Sequence, residues 1–498
     1  MNYALLASVF VIASCGLVYE LIAGTLASYL LGDSVTQFST VIGTYLFAMG
    51  IGSWLSKYLV RGLVARFVQI ELMVGLVGGF SAAVLFVAFS SGMAFRPMLY
   101  VSVVLVGTLV GLEIPLLLRI LRDRLEFRDL VAQVLTLDYI GALAASLAFP
   151  LVLVPKVGLV RSALLFGLLN AAVALWSTYI FAPSLGATAL LRGQCAVAVC
   201  LLVGGVVAAD RITEYAEGTM FSDEIILARS SPYQRIVVTR WKDDVRLYLN
   251  NHLQFASRDE YRYHEALVHP GLASIATPRR VLVLGGGDGL AVREVLRYPS
   301  VESVKLVDLD PEMIRLARNH ELFLKLNGGS LNSPKVTVVN EDAFKWLENT
   351  TESFDFAIVD LPDPNNYSLG KLYTNVFYRR LKHVLGANGL AVVQSTSPLF
   401  ARKSFWCIAQ TMKSAGLDVT PYHVYVPSFG EWGYVLASSN PYRPPQSLPP
   451  GLKYLDTKAL PALFEFPVDM APVPVEVNRL NNQILVQYYE AEWHLVAP

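Results

Sequence analysis

Four cysteines in 498 residues are too few and too scattered for a disulfide framework, and no CxxC pair of the kind that holds a metal occurs. Three of them, Cys15, Cys195 and Cys200, fall inside apolar runs, and Cys407 stands alone. Charge is also scarce: Asp, Glu, Lys and Arg make up 16% of the chain, against roughly 25% in ordinary soluble domains. That excludes a wholly soluble or a disordered chain. With 40 basic and 40 acidic residues there is no positive excess to grip a phosphate backbone, which argues against nucleic acid as a partner. Length argues against a single compact domain, since domains run to about 100 to 200 residues.

What replaces charge is a hydrophobic content of 54%, and it is concentrated in one half. Residues 1–209 hold only 11 of the 40 Lys and Arg and divide into apolar runs near 3–31, 37–56, 67–90, 97–120, 130–155, 158–182 and 188–209. Each approaches or exceeds the about 20 residues with which a helix crosses a bilayer core, where every backbone polar group must be satisfied internally. A multi-span α-helical membrane domain of about seven helices is expected. The first run lacks the basic flank and cleavage site of a signal peptide. Four acids, Glu20, Glu71, Glu113 and Asp138, lie within or at the edge of these runs. Carboxylates are costly there, so they suggest a cation path; the plainer reading is interfacial placement, or bonds to Tyr and Ser of neighbouring helices.

The second half has ordinary globular chemistry. Residues 210–257 read as a small β unit, with β-rich stretches at 225–228, 235–241 and 245–250. A polar, aromatic helix from 258 leads into Arg280–Leu284, a continuous apolar run suited to a parallel strand buried on both faces. Strand patterns at 303–309, 335–339, 355–360 and 389–395 then alternate with helical ones at 311–326, 343–349, 371–385 and 402–415. Repeated βαβ units over 258–445 predict a doubly wound parallel sheet of α/β class, with ligands outside the carboxyl ends of its strands. Residues 446–498 are rich in proline, end in a helical stretch from about 476 to 493, and read as an ordered extension.

Chemistry-bearing residues gather at those strand ends. Gly285-Gly286-Gly287-Asp288-Gly289-Leu290 follows the first strand, and its glycines allow a sharp turn and close backbone approach to a ligand. It departs from GxGxxG at Leu290, and Asp288 inside the loop disfavours a pyrophosphate while favouring a sulfonium or an amine. Asp308 ends the second strand 23 residues after Gly285, a placement suited to ribose hydroxyls; Asp310, ahead of Pro311, fits a helix cap better. Asp342 follows the third strand, where a carboxylate could accept from the exocyclic amine of adenine or simply cap a helix. The fourth strand ends in Asp360-Leu361-Pro362-Asp363-Pro364, whose paired acids could bind a polyvalent cation while one takes a proton from an attacking amine. Upstream, i, i+3 and i+4 spacing puts Tyr261, His264 and Glu265 on one helical face as a candidate ligand wall. No second His or Cys stands at metal-ligand spacing, so no metal is expected.

Taken in order, Ser231-Pro-Tyr-Gln234, Asp259–Glu265, Gly285–Gly289, Val307-Asp-Leu-Asp310, Glu341-Asp342, Asp360–Pro364, Leu372-Tyr373 and Gln394 resemble the spermidine synthases. The likeness covers about 220–440, and the apolar first half is similar to the membrane-bound branch of that polyamine aminopropyltransferase family. The resemblance implies a Rossmann-like sheet of AdoMet-methyltransferase type behind a small β unit, and decarboxylated S-adenosylmethionine as cosubstrate with no tightly bound cofactor. It also implies that Gln234, Gly285, Gly287, Asp308, Asp342 and Ala343 contact the nucleoside. His264, Asp288, Asp363 and Tyr263 would hold a putrescine-like amine, and Asp360 would accept its proton. Two departures stand out: the paired acids are separated by Leu361-Pro362 where the family usually has small polar residues, and Asp308 stands where it usually has Glu.

The expected reaction is displacement at the methylene beside the sulfonium, giving spermidine and methylthioadenosine. Its rivals are an AdoMet-dependent methyltransferase and a membrane polyamine transporter or sensor with a non-catalytic nucleoside-binding domain. The expected partners are the amine, the lipid bilayer and further copies of the chain in a homo-oligomer. Lys57, Arg61 and Arg66 after run two, and Arg119, Arg122, Arg124 and Arg128 after run four, place those loops in the cytoplasm. Seven spans would then put the second half outside, away from its cosubstrate. Either one run is re-entrant or split, or the charge bias misleads; cosubstrate supply favours a multi-pass cell-membrane protein with a cytoplasmic catalytic domain.

Overall fold

The computed structural model describes residues 2–31, 34–91, 93–122, 126–185, 188–221 and 223–493; Arg124 and the last five residues of the extension lie outside them. The chain forms two compact units, Met1–Glu224 and Ile225–Pro498.

The first unit is helical: α1 (Asn2–Leu31), α2 (Ser34–Leu55), α3 (Leu63–Ser90), α4 (Phe95–Leu121), α5 (Phe127–Ala148), α6 (Leu159–Ile180) and α7 (Thr188–Met220). Seven described helices are long and apolar enough to cross a membrane. None is split: α5 runs on through π-helical turns over Phe149–Val157, where Pro150 and Pro155 supply no N–H for the ordinary α-helical bond. Helix α7 continues beyond the expected end of the first domain at residue 209, so the β unit starts later than predicted; the stretch after 209 holds Ala, Glu and Arg among its residues, and these sustain a helix. Small residues let the helices meet backbone to backbone. A Cβ on Gly52 would lie 2.0 Å from the Thr108 carbonyl oxygen, and one on Gly111 would lie 2.1 Å from that of Met49, which joins α2 to α4. Phe47, Trp54, Val101, Leu143, Leu151 and Val207 face outward and exposed.

The second unit begins with an antiparallel sheet, β1 (Glu224–Ser230), β2 (Arg235–Trp241), β3 (Asp244–Leu249) and β4 (His252–Ala256), in sequential order. The unexpected β4 is turned back by Asn250 and Asn251, both at positive φ (49° and 66°), the conformation of a two-residue hairpin turn.

There follow α8 (Glu260–Leu272), β5 (Arg280–Gly285), α9 (Leu290–Val295), β6 (Ser303–Asp308), α10 (Pro311–Asn319), α11 (Glu321–Asn327), β7 (Val336–Asn340), α12 (Ala343–Asn349), β8 (Phe354–Asp360), α13 (Tyr367–Gly370), α14 (Asn375–Val384), β9 (Leu385–Gln394), α15 (Arg402–Ser414), β10 (Asp418–Val426), β11 (Gly430–Ser438) and α16 (Ile484–Trp493). The helix expected over 311–326 is broken where the His320 side chain accepts from Leu322 N and caps α11. That over 371–385 starts late because Thr374 caps α14. The final helix starts at Ile484, and residues 476–483 precede it as irregular chain.

The large sheet has the order β10-β11-β9-β8-β5-β6-β7. Strands β9, β8, β5, β6 and β7 are parallel as predicted, but β11 runs antiparallel to β9 and β10 antiparallel to β11, so the sheet is mixed. The three residues between β10 and β11 are too short for a crossover helix and permit only a hairpin. Alternate residues of β5 feed two cores, Val281 and Val283 on one face and Leu282 and Leu284 on the other. That is why its sequence is continuously apolar.

Candidate active site

Strand β5 pairs with β6 on one side and with β8 on the other, so the order of the sheet reverses there and a crevice opens at the carboxyl ends. Gly285 lies in register with Asp360, and Asp308 with Asn340. The glycine loop crosses this crevice at van der Waals limits. Gly285 has φ 80°, and a Cβ on it would stand 2.1 Å from the Asp360 carbonyl oxygen. A Cβ on Gly287 would stand 2.6 Å from Asp308 Oδ2, so only glycine lays its backbone against that carboxylate. Asp288 completes the loop, and its Oδ1 accepts from Leu290 N at 2.8 Å at the start of α9.

One side of the crevice is built around Asp308. Its Oδ1 accepts from Asp310 N at 2.8 Å, and burial pushes its pKa up to about 6 against the opposing hydrogen bond from Asp310 N. Asp310 caps α10 through Glu312 N at 3.0 Å, as its place before Pro311 suggests. Its other oxygen accepts from Ser231 Oγ and Gln234 Nε2, both at 2.8 Å, and so draws Gln234 from the small sheet to the tip of β6. Asp342 is a helix cap, accepting from Phe344 N at 2.8 Å, and also pairs with Lys371 Nζ at 2.6 Å. Burial works against its charge, but Lys371 and the capping N–H outweigh this and hold its pKa below the usual carboxylate range. Ala343, buried in the first turn of α12, lies next to it.

The other side is acidic. Asp360 ends β8, and its Oδ1 accepts from the Tyr263 hydroxyl at 2.7 Å. Burial pushes its pKa up to about 6, with His264 and the Tyr263 hydrogen bond opposing and Asp288 adding to the rise. Burial likewise raises Asp288, with His264 opposing. His264, 2% exposed, has Nδ1 at 2.8 Å from the Glu260 carbonyl and 2.9 Å from Glu260 Oε2. Burial disfavours its cation, yet Glu260 outweighs this and raises its pKa. Arg293 grips Glu260 with both terminal nitrogens, at 3.0 and 2.9 Å. Glu260 is held at about 2 by His264 and Arg293 against its own burial. Asp363 accepts from Gln394 Nε2 at 3.1 Å, Thr396 Oγ1 at 3.0 Å and Tyr489 Oη at 3.0 Å. Burial still raises its pKa.

One expectation is corrected. Glu265 is not part of a ligand wall: its carboxylate accepts the backbone N–H groups of Lys453, Tyr454 and Leu455 at 2.7, 2.9 and 3.0 Å. Tyr261 lies beneath Lys453 Nζ, 5.3 Å from its ring centre. These two side chains dock the C-terminal extension, while Glu260, Tyr263 and His264 turn toward the acids. Glu260 stands four residues before His264 and could have been read from that spacing. Arg293, Thr396 and Tyr489 carry no local sequence signal.

The result is a carboxylate-lined crevice able to hold a cation, beside a strand-end carboxylate of the kind that binds ribose. Residues 260–446 match the family described as Spermine/spermidine synthase domain. The chain is 55% identical over 496 residues to the polyamine aminopropyltransferase of Leptospira interrogans, covering 100% of both chains. The chain belongs to the polyamine aminopropyltransferase family. It is also 56% identical over 502 residues to polyamine aminopropyltransferase 2 of Ralstonia nicotianae, covering 99% of this chain and 98% of that one. A crystal structure of a spermidine synthase in complex with the transition state analogue AdoDATO is 26% identical, with a TM-score of 0.46 over 49% of this chain and 86% of its own. As an aminopropyltransferase the chain needs a base for its amine, a carboxylate environment for a cation and a nucleoside platform, and each has candidates in this crevice.

Proposed function

We propose that the chain transfers the aminopropyl group of decarboxylated S-adenosylmethionine to putrescine or a similar diamine, yielding spermidine and methylthioadenosine. The observation that carries this reading is Asp360, a half-buried carboxylate at the β8 end. It is fixed by Tyr263 at 2.7 Å and within electrostatic reach of Asp288 and His264.

In this reading Asp308 and Gln234, with Asp342 and Ala343, hold the nucleoside against the loop at Gly285 and Gly287. Asp288 and Asp363 bind the two ends of the diamine, and His264 sets the field between Asp288 and Asp360. The amine nitrogen attacks the methylene next to sulfur; the N–C bond forms as the C–S bond breaks, and its electron pair leaves on sulfur as a neutral thioether. Asp360 takes the proton that the nitrogen loses. Sulfonium is already a good leaving group, so the chain contributes orientation and a base. Burial makes Asp360 a stronger base than a free carboxylate while leaving it mostly ionised at neutral pH.

The seven apolar helices and their exposed Phe, Trp, Leu and Val support a multi-pass anchor in the cell membrane. We place the catalytic unit in the cytoplasm with its cosubstrate, although seven unbroken spans set this against the basic loops at 57–66 and 119–128. Protease accessibility of residues 225–493 in inside-out vesicles checks the side.

The reaction is tested by mass spectrometry of detergent-purified protein given decarboxylated S-adenosylmethionine and a panel of amines, with intact S-adenosylmethionine as parallel donor. Methylthioadenosine with an amine heavier by one aminopropyl group is expected, putrescine being the best acceptor. Methylated amine with S-adenosylhomocysteine, or no product from folded protein, overturns the reading.

A further inference from the structure

The helical unit contains an acid pair that catalysis leaves unused. Glu71 on α3 and Glu113 on α4 are both 0% exposed, and their carboxyl groups are within electrostatic reach of each other. Asn170 on α6 donates Nδ2 to Glu71 Oε2 at 3.3 Å. Cys15 and Tyr19 on α1 and Tyr45 on α2 complete the surroundings. Cys15 and Tyr45 direct their hydrogens to backbone, to Phe166 O at 3.5 Å and Gly16 O at 2.8 Å. Three arginines of the unit bond elsewhere: Arg119 to Ser56 O, Arg161 to Asp210 and Arg192 to Thr178.

The atoms here without a hydrogen-bond partner among the described residues are Glu71 Oε1, both carboxyl oxygens of Glu113, Asn170 Oδ1 and the Tyr19 hydroxyl. All but the hydroxyl are pure acceptors when the carboxyls are ionised. Buried polar atoms are almost always bonded, so a group of buried acceptors without partners marks the place of a donor. With one proton the pair keeps a net negative charge in an apolar interior and with two it is neutral, so a cationic donor would take the place of protons on these oxygens. A primary ammonium brings three N–H donors, no acceptor and the opposing charge. Two further acids stand near: Glu20, 8% exposed, acts on Tyr45, and the less buried Asp138 acts on Glu113.

We propose that Glu71, Glu113, Asn170 and Tyr19 form a binding site for a primary ammonium group, one end of a small aliphatic amine, inside the helical unit and separate from the catalytic crevice. The choice of an amine rests on the reaction proposed above; the donor-poor cluster does not.

The test labels the full chain in membranes with dicyclohexylcarbodiimide, which attacks protonated carboxyls in apolar surroundings, and reads adducts on Glu71 and Glu113 by peptide mass spectrometry. Putrescine or spermidine is expected to cut the adduct at least fivefold where equimolar sodium chloride does not. The protection should persist in Asp363→Asn, which weakens the catalytic amine site, and fail in Asn170→Ala. Unchanged labelling with amine, equal protection by sodium, or protection lost in Asp363→Asn each overturns the proposal. Equilibrium dialysis of labelled spermidine asks the same without the reagent: two molecules per chain are expected, falling to one in Glu113→Gln, and one per chain in the unmodified protein overturns it. Turnover measured on the same preparation separates the two readings, since product formed without protection of the pair refutes only this site, and protection without product refutes only the proposed reaction.

Discussion

Replacing Asp360 by Asn tests basicity and charge burial together. The amide keeps an oxygen where Tyr263 donates at 2.7 Å, so the hydrogen bond survives while the charge and the base are lost. Burial pushes the carboxyl from 3.8 to about 6, a rise of about two units or ~3 kcal/mol at 1.36 kcal/mol per unit. A carboxyl whose folded pKa is raised favours the fold fully below about pH 4, where both states keep the proton. That contribution is lost as pH climbs through about 6. The Asn variant carries no such loss. Near pH 4 the catalytic unit of both proteins should therefore melt together, and above pH 7 the variant should melt about 5 °C higher. Its turnover should fall by about 10²- to 10⁴-fold, while methylthioadenosine affinity by calorimetry stays within about twofold. Turnover of the parent should also drop as pH is lowered through about 6, where Asp360 is protonated. Differential scanning calorimetry and steady-state assays across this range decide the matter. Turnover within about tenfold of the parent refutes the base, and a variant that melts lower at pH 8 refutes the argument from buried charge.

Gly287→Ala places a methyl 2.6 Å from Asp308 Oδ2, so the carboxylate must shift; KM for the nucleoside cosubstrate should rise by about tenfold, the equivalent of ~1.4 kcal/mol, with kcat little changed. An unaltered KM would remove Asp308 from the nucleoside site. Tyr489→Phe deletes one of the three donors on Asp363, and a hydrogen bond to a charged group is worth about 1.5–3 kcal/mol, so KM for the amine should rise at least about tenfold while that for the cosubstrate holds. Equal effects on both substrates would count against Asp363 as an amine ligand. Glu260→Gln leaves buried His264 and Arg293 without their shared carboxylate, which should lower stability by about 3 kcal/mol. A melting temperature within 1 °C of the parent, on the order of the effect of neutral surface changes, would show that the three are not coupled.

The parts of the crevice that sequence reasoning reaches are those whose position is a local property of the chain. An apolar run ending in an acid, as in Val281–Gly285 with its glycine loop, Val307-Asp308 and Val359-Asp360, announces both a buried parallel strand and a carboxylate at its ligand edge. The β10–β11 hairpin escapes because its turn, Pro427-Ser428-Phe429 before Gly430, has none of the two-residue turn pairs that signal reversal. Glu260 and Glu265 show the same limit on one helix: identical residue types just over one turn apart take opposite duties. The difference is set by where Lys453, Tyr454 and Leu455 dock, which the sequence of α8 does not contain. Asp363 shows it most sharply. Its partners come from the end of β9, from Thr396 at a positive φ of 55°, and from Tyr489 on α16, 126 residues away. The strand-end acids proposed as base and nucleoside ligand can be read from the sequence, whereas the surroundings of Asp363, the proposed amine ligand, are assembled from segments that meet only in the folded unit. It follows that the transfer reaction is legible from sequence and the length of the accepted amine is not. Acceptor choice should therefore move with substitutions at Thr396 and Tyr489 rather than at the strand-end acids.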